Sequence, residues 1–141
     1  MTTLAEVFDS LKYRIEVDEY GNRRYYNALG QLHRLDGPAI ERSDGTKEWC
    51  QNGLRHRDAG PAVEYASGSK AWYQNGKRHR DAGPAVEHMD GTRMWLLYGR
   101  LHRTNGPAVE WPDGNVEWWV DGVKYTERDY YLQLEALGFN T

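Results

Sequence analysis

A strict 23-residue period runs through most of the chain and constrains its fold more than any other feature. Each unit follows the pattern G-x-x-H-R-x-x-G-P-A-[VI]-E-x-x-x-G-x-x-x-W-x-x-x. Four copies occupy residues 30–52, 53–75, 76–98 and 99–121, here called units 1 to 4, and a degenerate half-copy occupies residues 13–29. Such a period predicts an array in which each unit packs only on its neighbours.

Each unit is predicted to form a short β-hairpin. Its first strand begins with Pro-Ala-[Val/Ile]-Glu, where a proline at the first residue need not donate to a ladder. Asp44-Gly45 and its equivalents supply a tight turn, the second strand carries Trp, and Asn52-Gly53 and its equivalents supply the next turn. We therefore predict a mainly β fold: an elongated, single-layer antiparallel sheet of stacked hairpins, forming one domain over residues 1–141.

The faces of this sheet follow from the assumed turn. A two-residue turn at Asp44-Gly45 places Ile40 opposite Trp49, and the same Val–Trp pair recurs in every unit, which predicts the core face. Positions on the other face differ from unit to unit, so the repeat does not need them fixed. The apolar side chains among them are predicted to form an exposed column that contacts a partner: Tyr73, Met94, Leu96 and Trp119. The alternative is that a terminal helix covers this column.

Both ends of the chain carry helical patterns. Apolar residues at helical spacing predict a short helix over residues 3–12. At the other end, Thr126 is a candidate N-cap and Gly138 a candidate helix stop, which predicts a helix over residues 126–137. End units of such an array expose unpaired strand edges, so both helices are interpreted as caps.

The segment Asn75-Gly76-Lys77-Arg78-His79, followed by Gly, an aliphatic strand, Asp90-Gly91 and an aromatic strand, resembles the MORN repeat. The resemblance extends over residues 20–125 and implies hairpins in an elongated sheet and a non-enzymatic scaffold. The H-R-x-x-G-P-A variety is similar to units in accessory proteins of bacteriophages and large viruses. It implies a phage-type accessory or counter-defence factor in the cytoplasm of a host cell.

The charge and hydropathy of the chain limit the classes of partner that are expected. The net charge is −3 and the pI about 5.9, so no basic footprint for double-stranded nucleic acid is expected. The mean hydropathy is −0.88, and the longest apolar run, residues 94–98, is too short for a membrane span. The first residues show no secretory signal, and a lone Cys50 fits a reducing compartment, so we expect a cytoplasmic protein.

The four His-Arg pairs suggest three kinds of site: a metal site, a catalytic site or an anion-binding site. Equivalent histidines lie about two strand spacings apart, roughly 9–10 Å, too far to share an ion, so no metal or cofactor is expected. An active site is singular whereas this motif recurs, so no catalytic residue is assigned. The linking segments are positive overall and predict an edge that holds an acidic partner or an anion: Arg55, Arg57, Lys77, Arg78, Arg80, Arg100 and Arg103. The alternative is that each motif arginine pairs with a glutamate of the column Glu41, Glu64, Glu87 and Glu110.

The sequence as a whole predicts a non-enzymatic protein-binding module whose partner is a host protein. The alternative function is sequestration of a nucleotide-like anionic ligand by the His-Arg row of an oligomer. Self-association is expected in either case, because an open sheet has edges that pair.

Overall fold

A computed structural model describes residues 3–4 and 12–139 of the chain. Within that part, short strands account for nearly all regular structure and one helix follows them. In chain order the strands are β1 (Arg14–Val17), β2 (Arg23–Tyr26), β3 (Ile40–Glu41), β4 (Lys47–Glu48), β5 (Cys50–Gln51), β6 (Leu54–Arg55), β7 (Val63–Glu64), β8 (Lys70–Ala71), β9 (Tyr73–Gln74), β10 (Lys77–Arg78), β11 (Val86–Glu87), β12 (Arg93–Met94), β13 (Leu96–Leu97), β14 (Arg100–Leu101), β15 (Val109–Glu110), β16 (Val116–Val120) and β17 (Val123–Tyr125). The helix is α1 (Glu127–Ala136). The helix predicted over residues 3–12 lies outside the described residues for most of its length.

Eleven of the strands form one open antiparallel sheet in the order β1-β2-β3-β4-β7-β8-β11-β12-β15-β16-β17. Each unit contributes one hairpin to this long sheet, and successive hairpins pair edge to edge. The predicted mainly β architecture on an extended antiparallel sheet is therefore confirmed.

The turn of each long-sheet hairpin differs from the predicted one. The Arg42 N–H donates to Thr46 O at 2.9 Å and the Gly45 N–H to Arg42 O at 3.0 Å, which closes a three-residue loop. Only Gly45, at φ +96°, is left-handed in this loop, as in a type I turn followed by a bulged glycine. The Asp44 carboxylate accepts from the Thr46 N–H at 2.8 Å and holds the loop.

The extra loop residue shifts the register by one. Ile40 lies opposite Glu48, and Glu41 lies opposite Lys47. The predicted Ile40–Trp49 pair is therefore wrong, and so is its equivalent in every later unit. Because side chains alternate between faces, a shift of one residue moves Trp to the face opposite Val and Ile.

A second, smaller hairpin, not predicted from the sequence, joins the last residues of each unit to the first residues of the next. After Trp49 the chain leaves the long sheet, and β5 pairs with β6. The connecting residues Asn52 and Gly53 have φ of +50° and +82°, a two-residue turn with both central residues left-handed. The predicted turn at Asn-Gly is confirmed. Neighbouring small hairpins are joined by backbone bonds such as Gly76 N to Arg55 O, at 2.9 Å.

The core lies on the face of the long sheet that carries Val and Ile. Cross-strand partners align there into one continuous column: Ile40, Glu48, Val63, Ala71, Val86, Met94, Val109 and Glu117. Side chains of the small hairpins pack against this column, as Tyr73 does in the cluster with Val63 and Ala71. The core is thus a series of small clusters along the repeat, and each unit must fill its own interior.

The other face of the long sheet carries alternating charges. In units 1 to 3 the glutamate of the repeat lies opposite a cation of the same hairpin: Glu41 with Lys47, Glu64 with Lys70, Glu87 with Arg93. Glu110 lies opposite Val116 in its own hairpin and opposite Arg93 of the neighbouring one. Opposite charges in directly facing positions stabilise a sheet, whereas the register predicted from the sequence would have paired Glu41 with Glu48.

Helix α1 closes the C-terminal end of the array, and its predicted position is confirmed. Thr126 is the N-cap and accepts from the Asp129 N–H at 3.2 Å, while Gly138, at φ +87°, ends the helix. Tyr130 and Leu134 are fully buried and pack with Val120 and Trp118. The Tyr130 ring lies 4.9 Å from the Trp118 ring and covers the tryptophan of the last unit.

Candidate functional site

The column predicted to contact a partner contributes to the interior. Tyr73 and Leu96 are each only 7% exposed and belong to the core clusters of units 2 and 3. Met94 and Trp119 are half-buried. The prediction of an exposed apolar column is wrong, because the one-residue register shift places these positions on the inward side of the hairpins.

The variation at these positions is compensation within each unit. In unit 1 the buried Glu48 carboxylate is held by Arg55, at 2.6 Å, and by Arg42, at 3.0 Å. In unit 2 the equivalent of Glu48 is Ala71, and the Tyr73 hydroxyl, two residues later, accepts from Arg78 Nε at 3.2 Å. Different side chains thus fill the same part of the interior in different units and satisfy one another's hydrogen bonds there. The variability of these positions therefore does not indicate a partner.

Units 3 and 4 use two further solutions. Leu96 lies opposite Leu101, an apolar pair. In unit 4 Trp119 Nε1 donates to the Glu117 carboxylate at 2.9 Å, and this hydrogen bond is the largest cause that lowers the pKa of Glu117. Burial raises that pKa, and the Lys124 ammonium, at 3.3 Å, lowers it further. In unit 1 the neighbouring Cys50 is 4% exposed, and burial raises the pKa of its thiol to about 11. That thiol is therefore protonated at neutral pH.

The arginine of the His-Arg motif clamps each unit to the one before it. The Arg80 guanidinium lies 4.0 Å over the Trp72 ring, donates to Pro84 O at 3.1 Å, and bonds Glu87 at 3.2 Å. Arg57 and Arg103 repeat this arrangement over Trp49 and Trp95. The Arg–Glu pairing, the alternative weighed from the sequence, is the one present.

The glycine of Gly-Pro-Ala provides room for this clamp. A Cβ atom at Gly83 would lie 2.9 Å from Arg80 Cζ, closer than side chains approach one another. The guanidinium is thereby held between the indole ring and a glycine backbone. The pattern R-x-x-G in the sequence encodes this contact.

The histidine of the motif anchors the turn of the next small hairpin. His79 Nδ1 accepts from the Tyr98 N–H at 3.0 Å, and His79 Nε2 bonds Asp81 at 2.9 Å. Tyr98 has φ +48°, which a tyrosine rarely adopts. Histidines 33, 56 and 102 accept the same backbone bond in the other units. Because Nδ1 is an acceptor, the ring hydrogen is assigned to Nε2.

The remaining residues of the predicted basic edge have local roles. Arg55 binds Glu48. Burial alone would lower the pKa of Arg55, but its interactions with Glu48 and Tyr73 outweigh burial and raise that pKa. Arg100 forms an exposed pair with Asp121 at 3.2 Å. Within residues 12–139, Lys77 has no ion pair. The predicted edge is thus composed mostly of cations already engaged by the repeat itself.

A row of exposed side chains on the loops of the long sheet offers a different surface. Tyr65, Met89 and Trp111 are 40%, 72% and 38% exposed and occupy the loops of units 2, 3 and 4; we call them the turn row. The loops of units 2 and 3 are bonded to each other, since the Met89 N–H donates to Ser69 Oγ at 2.9 Å. Tyr65 and Trp111 occupy equivalent positions of the repeat, whose counterpart in unit 3 is His88, and Met89 lies one residue further on; this row was not predicted from the sequence.

Two further observations concern the part of the chain that the structure describes. It contains no helix long and apolar enough to cross a membrane, and no group of three His, Cys, Asp or Glu side chains is arranged to hold a metal ion. Comparison with known proteins found no family model and no curated protein that matches the chain.

Proposed function

We propose that this protein is a non-enzymatic module that binds another protein through its turn row. The observation that carries the proposal is the exposure of Tyr65, Met89 and Trp111 at the hairpin loops of three successive units. Tyrosine, tryptophan and methionine are enriched in protein interfaces, because large side chains exclude water efficiently. The repeat's own interactions explain the other conspicuous motifs, and within this row a side-chain hydrogen bond of Trp111 also helps to lower the pKa of Glu117.

The geometry of the row suits a protein surface. Neighbouring hairpins add two strand spacings each, so the three side chains are spaced over roughly 20 Å. The Ala66 and Met89 N–H groups donate to Thr46 Oγ1 and Ser69 Oγ, which ties the loops of units 1 to 3 together and reduces the ordering cost of association. A rigid line of three large side chains is a reasonable size for the centre of a standard interface.

The first class of partner to test is a host protein. The support is the resemblance of the units to those of bacteriophage and large-virus accessory proteins, which would make the chain a counter-defence or other accessory factor. The alternative of nucleotide capture by the His-Arg row is disfavoured, because Arg57, Arg80 and Arg103 each already bind a glutamate.

The test combines Tyr65→Ser, Met89→Ser and Trp111→Ser in one variant and compares its capture of host proteins with that of the wild type. We expect the wild type to retain one protein stoichiometrically and the variant to lose it, with direct binding then measured on the purified partner. Leu35→Ser, at an exposed apolar residue of a linking segment, is the matched control and should bind normally. Far-ultraviolet circular dichroism verifies that all variants are folded.

Unaltered capture by the triple variant would refute the role of the turn row. Light scattering on the same samples measures self-association. A wild-type dimer that the triple variant cannot form would identify a second copy of the chain as the partner.

A further inference from the structure

A small cleft opens between the hairpins of units 2 and 3. Its volume is about 180 Å³, and its walls include Tyr65, Ala71, Arg78, Val86 and His88. Ala71 and Val86 are paired residues of the core column and form an apolar floor. The cleft exists because unit 2 has the smallest side chain of any unit at this position of the column.

The other units show what this space holds when it is filled. The position of Ala71 is occupied by Glu48 in unit 1 and by Glu117 in unit 4. Both carboxylates are bound by a cation seven residues later, Arg55 at 2.6 Å and Lys124 at 3.3 Å. The same chain therefore builds a carboxylate site twice at the equivalent place, from the same pair of repeat positions.

At the junction of units 2 and 3 the cation is kept, as Arg78, but the carboxylate is missing, because residue 71 is alanine. Arg78 is the equivalent of Arg55 and Lys124, and its Nε donates to the Tyr73 hydroxyl at 3.2 Å. Among the residues for which contacts are described, no carboxylate pairs with Arg78, and its Nη atoms donate no hydrogen bond. A guanidinium beside an apolar floor, with donors left over, is suited to a ligand that carries a carboxylate on a short apolar stem.

We propose that this cleft binds a carboxylate ligand, which takes the place that Glu48 and Glu117 fill in their own units. The carboxylate accepts from Arg78, and the stem lies on Ala71 and Val86. The ligand is either a small free acid or an acidic side chain of a polypeptide. The cleft shares Tyr65 with the turn row, but the proposal does not rest on that row, because propionate would bind to Arg78 whether or not the row captures a protein.

The test uses propionate, which reproduces the end of a glutamate side chain, and propionamide as its neutral isostere. Binding is followed by the methyl resonances of Val86 at constant ionic strength. We expect saturable shifts with propionate in roughly the millimolar range, as for other ligands of this size, and at least about tenfold weaker binding of propionamide.

Two variants test the assignment of the site. Ala71→Glu places the carboxylate on the chain itself, as in units 1 and 4, and should abolish propionate binding. Arg78→Leu supplies the residue found at the equivalent position 23 residues later, Leu101, and should weaken binding at least about tenfold while the fold is kept. A blocked Gly-Glu-Gly peptide distinguishes the sources: tighter binding than propionate indicates a polypeptide ligand, and weaker binding indicates a free acid.

Three results would overturn the proposal: equal binding of propionamide, unchanged propionate binding in Arg78→Leu, or no binding of either propionate or the peptide. Loss of partner capture by a Met89→Ser, Trp111→Ser variant, which leaves Tyr65 in the wall of the cleft, would bear on the proposed function alone if propionate binding is intact. A wild-type chain that captures a partner but binds neither carboxylate probe would refute the carboxylate site alone.

Discussion

Replacing Arg80 by alanine measures how much the clamp contributes to stability. The side chain stacks on Trp72 at 4.0 Å, donates to a backbone carbonyl at 3.1 Å and pairs with Glu87 at 3.2 Å. A half-buried cation–π contact contributes about 1 kcal/mol, and a hydrogen bond from a charged donor about 1.5 kcal/mol. The pair with Glu87 is more than a third exposed, so solvent screening reduces it to about 0.3 kcal/mol. We expect Arg80→Ala to lower the free energy of unfolding by about 3 kcal/mol.

Urea unfolding, followed by tryptophan fluorescence and by circular dichroism, gives this value where the two transitions coincide. Arg80→Lys keeps the charge but not the planar group, and should recover less than half of the loss. Arg100→Ala is the matched control, because Arg100 pairs with Asp121 at the surface and should change the stability by less than about 0.5 kcal/mol.

A loss in Arg80→Ala no greater than in Arg100→Ala would refute the clamp. The motif arginines would then be available to a ligand, and the assignment of the His-Arg row as structural would have to be withdrawn. Arg57→Ala and Arg103→Ala give independent repetitions of the test, since their contacts are equivalent.

Three further outcomes are expected. Gly37→Ala places a Cβ about 2.9 Å from Arg34 Cζ and should lower the free energy of unfolding, measured with urea, by about 1–3 kcal/mol. Most of this loss should be absent when the same substitution is made in Arg34→Ala, and an equal loss there would contradict the steric account. Cys50, with its pKa raised to about 11, should react with a disulfide reagent at pH 8 at least roughly 90-fold more slowly than the unfolded chain; a comparable rate would show an accessible thiolate. The hydrogen bond from the Asn22 side chain is the largest cause that lowers the pKa of Asp18 to about 2. The stabilisation that ionised Asp18 contributes is therefore complete above about pH 4 and lost as the pH falls through 2. Asp18→Asn should flatten the pH dependence of the free energy of unfolding in that window, and an unchanged slope would contradict the assignment.

The period of the repeat, the number of units and the capping helix at the C-terminus were all predictable from the sequence. Local signals suffice for these features: glycines at turns, a proline at a strand start, and Thr126 and Gly138 at the helix ends. The Arg–Glu pairing was recognised as an alternative for the same reason, since Arg34 and Glu41 recur at a constant separation in every unit.

The register was not predicted, and it changed every conclusion about the faces. Asp-Gly occurs in both two-residue and three-residue hairpin loops, and the two differ by one residue. The charges in the sequence contained a signal that decides between them. Only the three-residue loop pairs Glu41 with Lys47 and Glu87 with Arg93, whereas the shorter loop sets Glu41 against Glu48.

The sequence alone determined which residues every unit must share, because Gly, His, Arg, Pro and Trp at fixed spacing satisfy local bonds that each copy repeats. Only the tertiary structure decided which of the variable residues face inward. Tyr73 and Leu96 are buried and Tyr65 and Met89 are exposed, although all four are apolar and vary between units. The cause is that burial depends on where the chain bends after Trp and on how neighbouring hairpins pair, and both follow from contacts between units.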